Sequence, residues 1–236
     1  MTTIRTNLQK VHERISQACA DARRDVNEVT LLAVSKTFGP DAVRDAFAAG
    51  QTAFGENYIQ EAVEKIELLR ELPLQWHCIG PIQSNKTRLV ATHFDWVHTV
   101  DRLKIAQRLS QQRPPELPAL QVCLQVNIDG GATKSGAAPH EVAALAREVA
   151  QLPRLKLRGL MTIPEPLEDF AAQKAVHLRA RALFDELRAS GLALDTLSMG
   201  MTADLEAAVA AGSTLVRVGS AIFGGRPKKS EEAAAT

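Results

Sequence analysis

The chain has 236 residues, 45% hydrophobic and 23% charged. That composition excludes a disordered chain, and the length allows a core that needs no disulfide or metal staple. The 28 Lys and Arg against 27 Asp and Glu leave a net charge of +1, so electrostatics gives no reason to expect nucleic acid or an anionic membrane as partner.

Cys19, Cys78 and Cys123 are dispersed without a CxxC pair, which reads as buried thiols in a reducing compartment. The first ten residues carry no apolar signal core, and no window approaches the roughly 18 apolar residues of a membrane span. The expectation is a cytoplasmic protein. With seven Phe, two Trp and one Tyr, its core must be aliphatic.

The chain opens on a helical pattern in which Ile4, Leu8, Val11, Ile15, Cys19 and Ala22 recur at steps of three and four. Val29 to Val34 is an apolar run without alternation, as in a parallel strand buried on both faces. Phe38 to Pro40 breaks it, and Asp41 to Ala49 reads as a helix with an acidic first turn. A second strand falls at Thr52 to Phe54. The helix after it places Ile59, Ala62, Val63, Ile66 and Leu69 on one face, and the alternating charges over Tyr58 to Arg70 read as its solvated side.

The alternation persists to the end. The third strand is Leu74 to Ile79 with a helix over Ser84 to Ala91; the fourth is Phe94 to Val97 with a helix over Leu103 to Gln111. The fifth is Leu120 to Val126 with a helix over Glu141 to Ala150, and the sixth is Leu155 to Met161 with a helix over Phe170 to Ala189. Thr196 to Ser198 is the seventh, followed by a helix over Ala203 to Ala210, and Thr214 to Val218 is the eighth. Eight strand–helix units with short connections predict a single α/β domain over residues 1–226, a (β/α)8 TIM-type barrel with an extra N-terminal helix. Residues 227–236 are expected to be a mobile tail. A doubly wound open sheet is the alternative, weakened because no Gly-x-Gly-x-x-Gly follows any strand.

In such a barrel chemistry gathers at the C-terminal ends of the strands. The first strand ends in Val34, Ser35 and Lys36. A lysine leaving an apolar strand sits where desolvation can lower its pKa and free the amine to attack an aldehyde, although a lysine reaching out to solvent is the plainer alternative. The seventh and eighth strands run into Ser198, Met199, Gly200, Met201, Thr202 and into Gly219, Ser220 up to Gly225. Glycine permits close backbone approach, Thr202 can cap the next helix, and two such loops side by side suit a phosphate. Arg217, inside the eighth strand, cannot shed its charge and needs an acceptor, from the protein or from a ligand. Lysine, phosphate loops and strand arginine together point to a phosphorylated aldehyde, pyridoxal 5′-phosphate first among them.

Other motifs are set aside. Gly131 to Ser135 lacks the glycine that a nucleotide-binding loop places before its lysine, since Thr133 precedes Lys134. His77, near the end of the third strand, is either a ligand contact or a hydrogen-bonded structural histidine. His93 and His98 flank the fourth strand without metal spacing, and no metal site is expected.

These segments resemble the pyridoxal 5′-phosphate homeostasis proteins, single-domain relatives of the alanine racemase N-terminal barrel. The matches are Leu32–Lys36, Phe54–Tyr58, His77–Lys86, Gly159–Met161, Ser198–Thr202 and Val216–Gly224, in the family's order. The resemblance implies that Lys36 holds the cofactor as an internal aldimine and that Asn57 lies near it. It further implies that Ser198, Gly200, Thr202, Gly219 and Ser220 surround the phosphate and that Arg217 faces the pyridine nitrogen. Thr202 stands where the family usually has serine, and the loop 127–136 lacks the acidic residue that members often carry before its lysine.

Three functions compete. The first is a carrier that stores pyridoxal phosphate and delivers it to apo-enzymes, a monomer without efficient catalysis of its own. The second is an amino-acid racemase or decarboxylase using the same imine, which needs an acid–base group opposite Lys36; in racemases a second, β-rich domain supplies it. The sequence stops soon after the eighth strand, and its one tyrosine, Tyr58, lies in another motif. The third, a cofactor-free lyase with a Schiff-base lysine, usually places that lysine on a later strand. The carrier is the expectation.

Overall fold

The computed structural model describes residues 3–131 and 135–225. The expected tail and the central residues of the Gly131–Ser135 segment, Thr133 and Lys134 among them, lie outside the described residues.

The helix α1 (Thr3–Asp21) is followed by β1 (Thr30–Val34) and α2 (Pro40–Ala48), then β2 (Ala53–Glu56) and α3 (Ile59–Leu68). Next come β3 (Gln75–Cys78) and α4 (Thr87–His93), then β4 (Trp96–Val100) and α5 (Leu103–Gln112). The second half adds β5 (Leu120–Val126), α6 (Val142–Ala150), β6 (Leu155–Thr162) and α7 (Phe170–Ala189). It closes with β7 (Thr196–Ser198), α8 (Leu205–Ala210), β8 (Leu215–Val218) and the single turn α9 (Ser220–Phe223). The strands form a closed parallel barrel in sequence order, β8 returning to β1 with Arg217 beside Leu32. A (β/α)8 barrel with an additional N-terminal helix is the fold that the strand–helix alternation predicts.

The apolar runs form parallel strands because both faces are covered. The outer face packs against the helices in one large aliphatic core that includes Phe54, Val97, Leu197 and Val216. The inner face carries two smaller clusters, one around Leu32, Val34 and Leu215 and one around Trp96, Cys123 and Met161. Between them the interior is polar, holding His77, His98, Ser198 and Arg217, all buried.

Several sequence expectations need correction. β4 runs two to three residues later than expected, so His98 lies inside it while His93 ends α4; His77 lies within β3, inside the expected strand range. The displacement arises because the Phe94 N–H closes α4 on Val90 O, and Asp95 then turns the chain by accepting from the Trp76 N–H at 2.8 Å. The helix after β7 starts at Leu205, preceded by Asp204, whose carboxylate accepts from the Met201 N–H at 2.6 Å. Asp204, not Thr202, occupies the capping position.

The helix α1 is more than a cover. It buries Leu8, Val11 and Ile15, and its polar side clamps the loops beyond β7 and β8. Asn7 Nδ2 donates to Ile222 O at 2.9 Å, and Arg14 donates to Thr202 O at 2.9 Å while pairing with Glu206 at 2.8 Å. Both loops are thereby tied to one rigid element.

Candidate functional site

A cavity of about 370 Å³ opens at the C-terminal ends of the strands, within the range of small-ligand sites, roughly 300–1,000 Å³. Of the sequence-predicted residues, Lys36, Asn57, Thr202, Arg217, Gly219 and Ser220 line it. Ser198 and Gly200 are not among the lining residues. Both support the wall from beneath: Ser198 is buried and accepts from Arg217 Nη1 at 2.7 Å. Gly200 has φ +92, and a Cβ there would collide with Ala208 Cβ, so glycine lets α8 press against the loop.

The position of Lys36 follows from its neighbours. Ser35 continues the strand pairing through its N–H to Gly55 O at 3.0 Å. Thr37 then adopts φ +67, a left-handed conformation that a β-branched residue takes only under constraint, at a cost of about 1–3 kcal/mol. The constraint comes from α3. Glu61 accepts from the Thr37 N–H at 3.1 Å, and Lys65 Nζ donates to Ser35 O at 3.0 Å. Lys65 is itself buried and pairs with the buried Glu56 at 2.7 Å, so it alone departs from the solvated face on which Glu64, Glu67 and Arg70 stay exposed. Glu56 Oε1 also accepts from Ser35 Oγ at 2.6 Å. Sequence reasoning missed this support. Its signal was a glutamate inside a buried strand, nine residues before a lysine on the next helix.

Asn57 leaves β2 beside the turn after β3. Gly80 packs there directly on Asn57 O, where no Cβ would fit. Asn57 Oδ1 and Thr37 Oγ1 are buried at the cavity without a protein hydrogen-bond partner. Phe38, another lining residue that sequence reading passed over, stacks on Phe223 of α9 with centroids 5.2 Å apart and joins the loop after β1 to the one after β8.

Arg217 enters from the inner face of β8. Nη2 donates to Thr162 O at 2.8 Å, complementing the bond from Nη1 to Ser198. Burial lowers its pKa to about 10, so the guanidinium is a cation at neutral pH. Lys36 and Arg217 are the ionisable side chains among the described lining residues, none of which is a carboxylate. His77 and His98 lie below it, neither in the lining. Among the described residues no group of His, Cys, Asp and Glu could hold a metal ion, and no helix is long and apolar enough to cross a membrane.

An amine, a guanidinium and three hydroxyls, with no acid among the described lining residues, surround a ring-sized cavity and form a site for an anionic, carbonyl-bearing ligand. On a closed barrel this arrangement defines a class, and residues 5–227 match the alanine racemase N-terminal domain family. Pyridoxal phosphate homeostasis protein from Pseudomonas aeruginosa is 60% identical over 226 residues, covering 96% of this chain and 97% of that protein. Its Escherichia coli K12 counterpart is 52% identical over 229 residues, covering 96% and 98%. The chain belongs to the pyridoxal phosphate homeostasis proteins, within the alanine racemase N-terminal domain family. PipY from Synechococcus elongatus, solved with PLP bound, superposes with a TM-score of 0.77 at 40% identity, covering 89% of this chain and all of that one. An alanine racemase from Clostridium difficile, 15% identical with a TM-score of 0.69, shares the fold over 92% of this chain and 57% of its own.

Proposed function

We propose that this protein binds pyridoxal 5′-phosphate through Lys36 and serves as its store and donor, without efficient turnover of its own. The observation that carries the reading is the convergence of Lys36, Arg217, Thr202 and Ser220 on one cavity. The residues fit the cofactor. The described lining holds cationic and hydroxyl groups and no acid, which suits a phosphate dianion, and Asn57 Oδ1 and Thr37 Oγ1 are left as acceptors.

Bound there, the cofactor supplies an aldehyde for condensation with an amine and a ring that withdraws electrons. Lys36 provides that amine, its backbone held on both sides by α3. Thr202, Gly219 and Ser220 receive the phosphate, with Gly200 shaping the loop and Ser198 bracing Arg217. Arg217 presents donors to the ring, and Ile79 and Ile163 supply apolar wall. Moving a proton on and off an amino-acid α-carbon from both faces needs two positioned acid–base groups. Lys36 can be one of them. Arg217 remains protonated, and Tyr58 is 53% exposed and outside the lining. Among the described lining residues the amino-acid racemase alternative finds no second group. As a carrier the protein would hand the cofactor to apo-enzymes, in the cytoplasm and as a monomer.

The test is to add pyridoxal 5′-phosphate to the purified protein, reduce with borohydride and map the label. The expected result is a visible absorbance band that borohydride bleaches, with the pyridoxyl group on the peptide holding Lys36 and absent from that peptide in Lys36→Ala. A protein that stays colourless, or a label on Lys65 or Lys86 instead, would remove this reading.

A further inference from the structure

A chain of hydrogen bonds crosses the barrel interior from one mouth to the other. Gln75 Oε1 lies 3.0 Å from His77 Nε2, and His77 Nδ1 lies 2.9 Å from His98 Nε2. His98 Nδ1 is 2.9 Å from Ser198 Oγ, which also meets Arg217 Nη1 at 2.7 Å. Gln75 borders a groove at the N-terminal ends of the strands, whereas Arg217 borders the cavity at the C-terminal ends.

One arrangement of protons satisfies every link. Gln75 Oε1 can only accept, so His77 Nε2 carries its hydrogen. A neutral imidazole has one N–H, which makes His77 Nδ1 an acceptor for the N–H on His98 Nε2. His98 Nδ1 then accepts from Ser198 O–H, and the lone pairs of Ser198 Oγ are left for Arg217, which can only donate. The other His98 tautomer would set two lone pairs face to face against His77. Burial keeps both rings neutral, His77 with its pKa lowered to about 3 and His98 well below its ordinary value, with His77 and Arg217 adding to the effect. The His77 ring is fixed in turn by stacking on Trp96 at 5.2 Å and 10°, with Arg158 over the Trp96 ring at 4.7 Å.

We propose that His98 is a positioning residue for Arg217: through Ser198 it fixes the guanidinium so that its remaining N–H groups face the cofactor ring. The inference rests on the reading of the cavity as a pyridoxal phosphate site. The polarity of the chain gives the device its direction, since every hydrogen points away from Arg217 and the charge meets only acceptors.

Two measurements test it, one without ligand. Nitrogen-15 NMR of the ligand-free protein should show His77 and His98 both protonated at Nε2, and Arg217 η resonances that are resolved in the wild type and averaged in His98→Phe. A proton on His98 Nδ1, or Arg217 signals indifferent to His98→Phe, would overturn the proposal whether or not the cofactor binds. Pyridoxal 5′-phosphate titrations, with melting curves as the folding control, then compare His98→Phe, Arg217→Met and the double variant. His98→Phe should weaken binding about tenfold and shift the absorbance maximum of the bound chromophore, while adding little in the Arg217→Met background. His98→Asn, whose side-chain oxygen can accept from Ser198, should recover part of the loss. Equal losses in both backgrounds, or unchanged affinity and spectrum in folded His98→Phe, would refute the role. If His98→Phe does not fold, Ser198→Ala decides by the same comparison. A wild type that fails to titrate would sink the cofactor reading alone and leave the tautomers to judge His98.

Discussion

Lys65 Nζ lies 2.7 Å from Glu56 Oε1, and with 3% and 0% of their side chains exposed the two form a buried ion pair between β2 and α3. Burial raises the Glu56 carboxyl above its ordinary range, even though Lys65 opposes the shift by charge and hydrogen bond and Ser35 by hydrogen bond. The pair connects the end of β1, which carries Lys36, to the helix beyond β2. Removing one partner strands the other charge in a dry site. Lys65→Met should therefore cost about 3–5 kcal/mol, and the apolar double variant Glu56→Leu/Lys65→Met much less. Urea unfolding of the three proteins checks this, and equal losses in single and double variants would contradict it.

The phosphate assignment predicts an asymmetry between two aldehydes. Hydrogen bonds to a charged group contribute about 1.5–3 kcal/mol each, so Thr202→Ala or Ser220→Ala should weaken pyridoxal 5′-phosphate binding roughly tenfold or more. Pyridoxal, without the phosphate, should bind far less tightly and be nearly insensitive to either change. Titration by absorbance measures both. Equal affinity for the two aldehydes would move the phosphate elsewhere.

The buried histidines predict acid sensitivity in a defined window. His77 falls from an ordinary 6.5 to about 3 in the folded protein, and His98 is lowered as well. Below pH 6.5 the unfolded chain takes up protons that the folded chain refuses, so stability is full above that pH and declines as pH falls toward the folded values. Each histidine contributes at most about 1.4 kcal/mol per pH unit, or about 2.7 for the two. Denaturant midpoints at pH 7, 6 and 5 should fall in this order. A flat profile across the window would mean that these rings are charged or hydrated in the fold.

Turnover should be slow even when the cofactor is loaded. The described cavity lining offers Lys36 as one proton-transfer group and no second on the opposite face, and loss of a positioned acid costs about 10²–10⁴ in rate. Incubating the loaded protein with L-alanine in D₂O and following the α-proton by NMR reads this directly. Exchange with racemisation on the order of 1 s⁻¹ or faster would restore the racemase.

Much of this was legible along the chain. Apolar runs alternating with helical periodicity specified a closed parallel barrel, because a strand covered on both faces and a helix with one apolar stripe are local patterns. For the same reason Lys36 at a strand end, Arg217 inside a strand and the glycine–hydroxyl loops after the last two strands could be picked out one at a time. What the pattern could not show was who meets whom across the closed sheet. Ser198 and His98 are 100 residues apart and 2.9 Å from each other in space, so Ser198 serves Arg217 from beneath rather than lining the cavity. Lys65 read as one charge in a wet row until α3 turned it onto Glu56. Residue type and periodicity thus determined the barrel, its lysine and its loops by themselves. Closure of the barrel alone decided which polar groups were buried together, because satisfying a buried charge or imidazole depends on partners that no local window contains.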